Sequence, residues 1–177
     1  MDSFKISLLP PPDEIETPLV LKQLIQSHKH LAELKGVVKT IPNQQILINT
    51  LSLQEAKSSS EIENIVTTHD DLFKENIMIE SQNLATKEVM NYARGLKLGF
   101  EIVRNENLLL NKHILSIQEQ LEENKAGFRT QAGTKLINAK NEVVYTPPQN
   151  KDEILELMSN LEKFINDPSV SSLDPLT

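Results

Sequence analysis

The stretch Gln54–Thr68, QEAKSSSEIENIVTT, decides how the chain is read. Taken as one helix, the i, i+3, i+4, i+7 rule puts Ala56, Ser59, Ser60 and Glu63 on one face, with Leu51, Glu55, Ser58 and Ile62 along the neighbouring one. A carboxylate then stands at the end of a row of very small side chains. Small side chains let another backbone approach closely, and a Glu beyond them reaches toward a cation in that partner. A solvated, Ser-rich helix end has the same composition, so helical geometry leaves both readings open.

Upstream, Leu21, Leu24, Ile25, His28, Leu31, Leu34 and Val38 repeat at helical spacing behind Pro18, a residue suited to a first helical turn. A lone His28 on an apolar face reads as a hydrogen-bonded packing residue rather than a ligand. Ile41-Pro42-Asn43 breaks that helix, and Asn43 can cap a second one through Ile46, Leu47 and Leu51 into the opening stretch. Before the first helix, residues 1–17 carry Pro10, Pro11 and Pro12 in a row and read as an extended surface arm.

Downstream, Thr67 to Asp71 suits the cap of a short helix through Leu72 and Phe73. His69, Asp70 and Asp71 are adjacent and point in different directions, so no metal site is expected there. After a polar connection from Glu75 to Asn83, the cleanest helical periodicity of the chain runs through Ala85, Val89, Tyr92, Ala93, Leu96, Phe100 and Val103. Leu110, Ile114, Ile117 and Leu121 repeat it, with Gly127 as the expected stop and His113 expected to face solvent. The texture changes at Phe128. Lys135–Asn138 and Val143–Thr146 are short β-prone runs around a four-residue loop and read as a lone hairpin, which must rest on helices or stay exposed to pair with an extended peptide. Ile154, Leu155, Met158, Leu161 and Ile165 form a last helix, introduced by Asp152 and closed by Asp167-Pro168.

The 177 residues suffice for one compact unit, and the fold class is mainly α with one small hairpin. A net charge of −7 without a basic stripe argues against nucleic-acid binding. With no cysteine, thiolate chemistry and Cys-ligated zinc are excluded. No apolar run approaches the roughly 18 to 20 residues needed to span a bilayer, and MDSFKISLLPPP lacks the order of a signal peptide, so a cytoplasmic protein without membrane contact is expected. No catalytic constellation emerges: none of the four histidines is tied by the sequence to a nucleophile, and Glu61 and Glu63 lie on different helix faces. By residues alone this is a helical interaction domain with one hairpin.

The order of short matches says more than any one of them: LPPP near the start, LAELKG ending at Gly36, IPN at Pro42 and Asn43, QEAKSSSEIEN, EVMNY at Tyr92, GFRT at Gly127–Thr130, VVYTPP, and LMSNLEKFIND before DPL. Together they resemble the N-terminal region of Fic-family proteins, enzymes that transfer AMP from ATP to protein hydroxyls of Ser, Thr or Tyr. The resemblance implies a Fic-type helical fold: a helical region over 1–80 with an inhibitory helix at about 43–66, then the first part of the Fic core over 81–177 with its flap hairpin at about 134–146. Ser59, Glu63 and Asn64 fit the family's inhibitory motif of Ser or Thr, three residues, Glu, then Gly or Asn. The resemblance implies that Glu63 pairs with an arginine of the nucleotide site and occupies the place of the ATP γ-phosphate. It also makes Lys135, Leu136, Ile137, Val143 and Val144 the flap that docks a target protein, and it implies ATP with Mg as cofactors.

The family's catalytic signature, HxFx(D/E)GNGRxxR, would follow Asp174–Leu176, and it is absent from these 177 residues. The expectation is a regulatory and docking part of a Fic-type AMP transferase, cut short before its catalytic helices, with no catalytic residue of its own and inactive as it stands. Loss of those helices would bare the apolar faces of the Ala85–Val103 and Ile154–Ile165 helices, so self-association or a partner carrying the catalytic half is also expected. An antitoxin-like inhibitor acting on a separate enzyme, or a helical protein-interaction module, is the alternative.

Overall fold

The computed structural model describes residues 5–12, 14–68, 71–72 and 84–177. It is mainly helical, with one two-stranded antiparallel hairpin. Helix α1 (Pro18–Val38) starts as the sequence predicts: Pro18 takes the first helical position, where its missing N–H costs nothing, and the Thr17 hydroxyl accepts from the Val20 amide at 3.4 Å. α2 (Gln44–Ile62) follows the Ile41-Pro42-Asn43 break. α3 (Leu84–Glu106) and α4 (Asn111–Glu122) come next, then strands β1 (Leu136–Ile137) and β2 (Val143–Tyr145), and α5 (Lys151–Asn166).

The contacts divide the chain into two compact units that interleave in sequence. One comprises Val37–Leu108 and Lys112–Lys125. Its core is Ala56 of α2, Leu72, and Val89 and Met90 of α3, ringed by Leu53, Ile65, Tyr92 and Ala93. Thr68 caps the turn at Asp71-Leu72 as the sequence predicts, its hydroxyl accepting from the Asp71 amide at 3.1 Å, and Leu72 is fully buried. Phe73, His69 and Asp70, and the connection from Glu75 to Asn83, lie outside the described residues. α3 and α4 approach closely at Gly95 and Gly99: a Cβ on Gly95 would lie 3.3 Å from Leu121 Cδ2, and one on Gly99 2.9 Å from Ile117 Cδ1.

The other unit comprises the chain through Gly36, Leu109–Asn111 and Ala126–Thr177. Here α5 is the organising element. Its Asn160 amide brackets the arm, accepting from the Leu9 N–H at 2.6 Å and donating to the Leu9 carbonyl at 2.9 Å. Asn166 does the same for Leu109, at 2.8 Å to both N–H and carbonyl, and Glu162 accepts from the Asn111 amide at the start of α4, where a carboxylate meets unpaired helix N–H groups. A side-chain amide that matches a peptide group donor for acceptor holds extended chain against a helix without a sheet.

Four local expectations are corrected. The helix expected to run to Thr68 ends at Ile62, because Asn64 turns into the left-handed region at φ 63°. α4 stops at Glu122 with Glu123 at φ 53°, five residues short of Gly127. The cap of α5 is Asn150, whose side chain accepts from the Asp152 amide at 2.7 Å, rather than Asp152, which falls in the first turn. His113, expected to face solvent, is buried; its Nε2 lies 3.1 Å from Glu106 Oε2 at the end of α3.

Candidate functional site

The inhibitory-motif residues sit at the C-terminal end of α2. Ala56 and Ser60 are buried against α3, so the close approach expected of small side chains is made to the chain's own α3. Ser59 is half-buried beside them. Its hydroxyl donates to Glu55 Oε1 at 3.0 Å and receives the Tyr92 hydroxyl at 3.4 Å, so it belongs to the α2–α3 contact. Lys57 and Glu61 form an ion pair on the outer face.

Glu63 stands just past Ile62, the last residue of α2. It lies in the turn, exposed, and its carboxylate makes no ion pair or hydrogen bond among the described residues. The turn itself is closely held. The Asn64 amide donates to the Glu61 carbonyl at 3.1 Å and the Ile65 amide to the Ser60 carbonyl at 2.9 Å, the paired bonds of a Schellman stop. Ile65 then packs on the Ala56–Val89 core, and buried Thr67 bonds Thr86 of α3, hydroxyl to hydroxyl, at 2.8 Å.

The flap residues are on the hairpin as read from the sequence. Leu136 pairs with Tyr145 and Ile137 with Val143, which leaves Val144 as the extra residue of a bulge. The loop is closed by Asn138, whose Oδ1 accepts from the Lys140 amide at 2.9 Å and the Glu142 amide at 3.0 Å, with Asn141 at φ 61°. At the base, Gln149 accepts from the Gly133 amide at 2.6 Å and donates to the Thr134 carbonyl at 3.1 Å, while Arg129 donates to the Pro148 carbonyl. Lys135, Leu136, Ile137, Val143 and Val144 are all exposed, Val144 to 62%. The hairpin is therefore fixed at its base and carries bare apolar side chains beyond it.

Two polar constellations escape sequence reading. Near the ends of α3 and α4, Lys87 and Asn91 converge on Glu123, and their hydrogen bonds, Lys87's foremost, hold its carboxyl below the usual value. Buried Asn91 also reaches the Leu121 carbonyl at 3.5 Å and accepts from Arg94 at 3.2 Å. In the other unit, the tail folds on α1: Asp174 lies 2.7 Å from His28 Nε2, and its amide donates to Glu16 at 2.7 Å. The Leu176 amide and then His28 hold the Asp174 carboxyl low. These partners are separated by 36, 146 and 158 positions, and no local pattern links them. His28 is thus hydrogen-bonded, as expected of it, but at a half-exposed position rather than inside the apolar stripe.

Among the described residues no group of three or more His, Cys, Asp or Glu is placed to hold a metal ion, and no described helix is long and apolar enough to cross a membrane. Residues 21–101 match the family model described as Fic/DOC family N-terminal. The match includes α2 and the turn with Ser59, Glu63 and Asn64, and stops before the hairpin. Over residues 21–101, somewhat under half of its length, the chain is similar to the N-terminal region of the Fic/DOC family.

Proposed function

We propose that this chain is the regulatory and target-docking part of a Fic-type protein adenylyltransferase, with Glu63 as the group that restrains AMP transfer. The observation that carries the reading is the state of Glu63: an exposed carboxylate without a partner among the described residues, set on a turn that is itself tightly bonded. Such a group is free to accept two parallel hydrogen bonds from a guanidinium, the strong geometry for an arginine–carboxylate pair. Placed at the nucleotide site, it would repel the γ-phosphate oxygens of bound ATP and hold the nucleotide, with its Mg, in an unproductive pose. Ser59 supports this by tying the end of α2 to Tyr92, and Asn64 by following Glu63 in the motif.

The exposed hairpin supports the second half of the reading. Lys135, Leu136, Ile137, Val143 and Val144 offer main-chain groups and apolar side chains to an extended target segment, which would add as a further strand and present its hydroxyl. Leu96, Phe100 and Val103 of α3, and Leu155 and Ile165 of α5, are exposed and give faces to which a second copy or a catalytic half would dock.

The test joins these 177 residues in one polypeptide to a Fic catalytic segment bearing HxFx(D/E)GNGRxxR and measures AMP incorporation. Glu63→Gly should raise it at least about tenfold, the scale of a lost charge-assisted contact; equal rates would sink the reading. The alternative, an antitoxin-like inhibitor of a separate enzyme, is favoured by the outward exposure of Glu63. It requires the unjoined chain to suppress AMP transfer in trans.

A further inference from the structure

The tail Asp174-Pro175-Leu176-Thr177 has the chemistry of a helix start. Asp174 Oδ1 accepts from the Leu176 amide at 2.9 Å, the Asp174 carbonyl accepts from the Thr177 amide at 2.9 Å, and Pro175 fills the position where a missing N–H costs nothing. These are the bonds of an N-cap and of the turn after it. We propose that His28 and Glu16 are positioning residues: they fix this first turn beside α1, and so set where a catalytic segment joined after Thr177 begins and which way it runs. This deepens the proposed function and rests on it.

Three observations carry it. The cap residue is gripped through its remaining polar groups: Asp174 Oδ2 lies 2.7 Å from His28 Nε2, and the Asp174 amide donates to Glu16 Oε1 at 2.7 Å. The same Glu16 oxygen accepts from the Thr177 hydroxyl at 3.3 Å, so the turn is tied at both of its ends. His28 lies in the middle of α1 and Glu16 just before its first residue, and two anchors at separate points along one helix fix a direction as well as a position. Beside the cap is a hollow of about 640 Å³ walled by Leu21, Leu24 and Ile25, of which Leu21 is 44% and Ile25 66% exposed. An apolar strip next to a helix start suits the apolar face of an amphipathic helix that continues from it.

The experiment uses the joined polypeptide with Glu63→Gly, so that the proposed restraint is off, and adds His28→Leu, His28→Gln or Glu16→Ala. Gln keeps an N–H donor at about the reach of Nε2, whereas Leu keeps bulk and loses the donor. Two readouts are taken below the thermal midpoint of every variant: amide exchange over the first two turns after Pro175, and kcat and KM for AMP transfer. His28→Leu and Glu16→Ala should each lose about tenfold in protection there, the scale of one charge-assisted hydrogen bond. Each should also lose about tenfold in kcat with KM for ATP unchanged, and His28→Gln should retain both. Asp174→Ala combined with His28→Leu should cost no more than Asp174→Ala alone, because the two act through one contact. Unchanged protection or unchanged kcat in His28→Leu would overturn the positioning role, as would an equal loss in His28→Gln. If the joined polypeptide transfers no AMP even with Glu63→Gly, the function reading falls, and protection after Pro175 alone decides whether His28 and Glu16 set the helix start.

Discussion

Glu63 sits where its own helix disfavours it. The C-terminal end of α2 carries the negative pole of the helix dipole, its last turn contains no basic residue, and Glu61 lies two residues away. Removing the charge while keeping the shape, Glu63→Gln, should raise the thermal midpoint by about 1–4 °C, the effect of relieving one unfavourable end charge in a domain of this size. A carboxylate kept for fold stability would give the opposite sign. Glycines supply a second residue-scale contrast. Gly36, inside α1, has nothing within 4 Å of a built Cβ, so Gly36→Ala should stabilise by about 0.5–1 kcal/mol through helix propensity and a less flexible unfolded chain. Gly99→Ala should gain less, because its Cβ meets Ile117 Cδ1 at 2.9 Å and that side chain must give way. Chemical denaturation of the two variants side by side reads the difference.

At the scale of elements, the helix starts follow rules readable from neighbours in sequence. Thr17-Pro18 and Asn150 both cap as local chemistry demands, although Asp152 is the more conspicuous acidic residue at α5. Asn150→Ala should therefore cost about 1 kcal/mol, read from the denaturation midpoint. Helix ends are less legible. α2, α3 and α4 stop at Asn64, Asn107 and Glu123 in left-handed conformations, while the glycine that would ordinarily mark a stop, Gly127, lies in the following loop. Asn tolerates that conformation but also occurs freely elsewhere, so only the bonds made after the turn distinguish a stop from a passing residue. The hairpin was legible in place and in sense, since two β-prone runs flank a loop rich in turn residues. Its bulge at Val144 was not, because a one-residue offset in pairing leaves no mark in composition.

Over the whole chain, long-range polar ties do what cysteines and a large aromatic core do elsewhere. The tie between the tail and α1 carries a pH dependence whose sign follows from Asp174. Its carboxyl is held below the usual value in the folded chain, so its contribution to stability is complete above the unfolded value near 4. It declines as pH falls below that, and is gone below the folded value. The difference in urea midpoint between the chain and Asp174→Asn should be constant from about pH 5 to 6 and shrink as pH falls below about 4, where the unfolded chain takes up the proton more readily than the folded one. A difference that grows on acidification would contradict the assignment.

What the sequence determined by itself is the set of local propensities: the helices at Pro18, Asn43, Ala85 and Ile154, the hairpin, the exclusion of thiol chemistry, and the similarity of residues 21–101 to the Fic/DOC family N-terminal region. These depend on spacing and on neighbours within a few residues. Tertiary structure decided which polar groups are buried and what they meet: Asn160 around Leu9, Thr67 on Thr86. The cause is the same in each case. Burying a polar group is tolerable only when a distant segment supplies the matching hydrogen bond, and that segment's position is set by the folded chain.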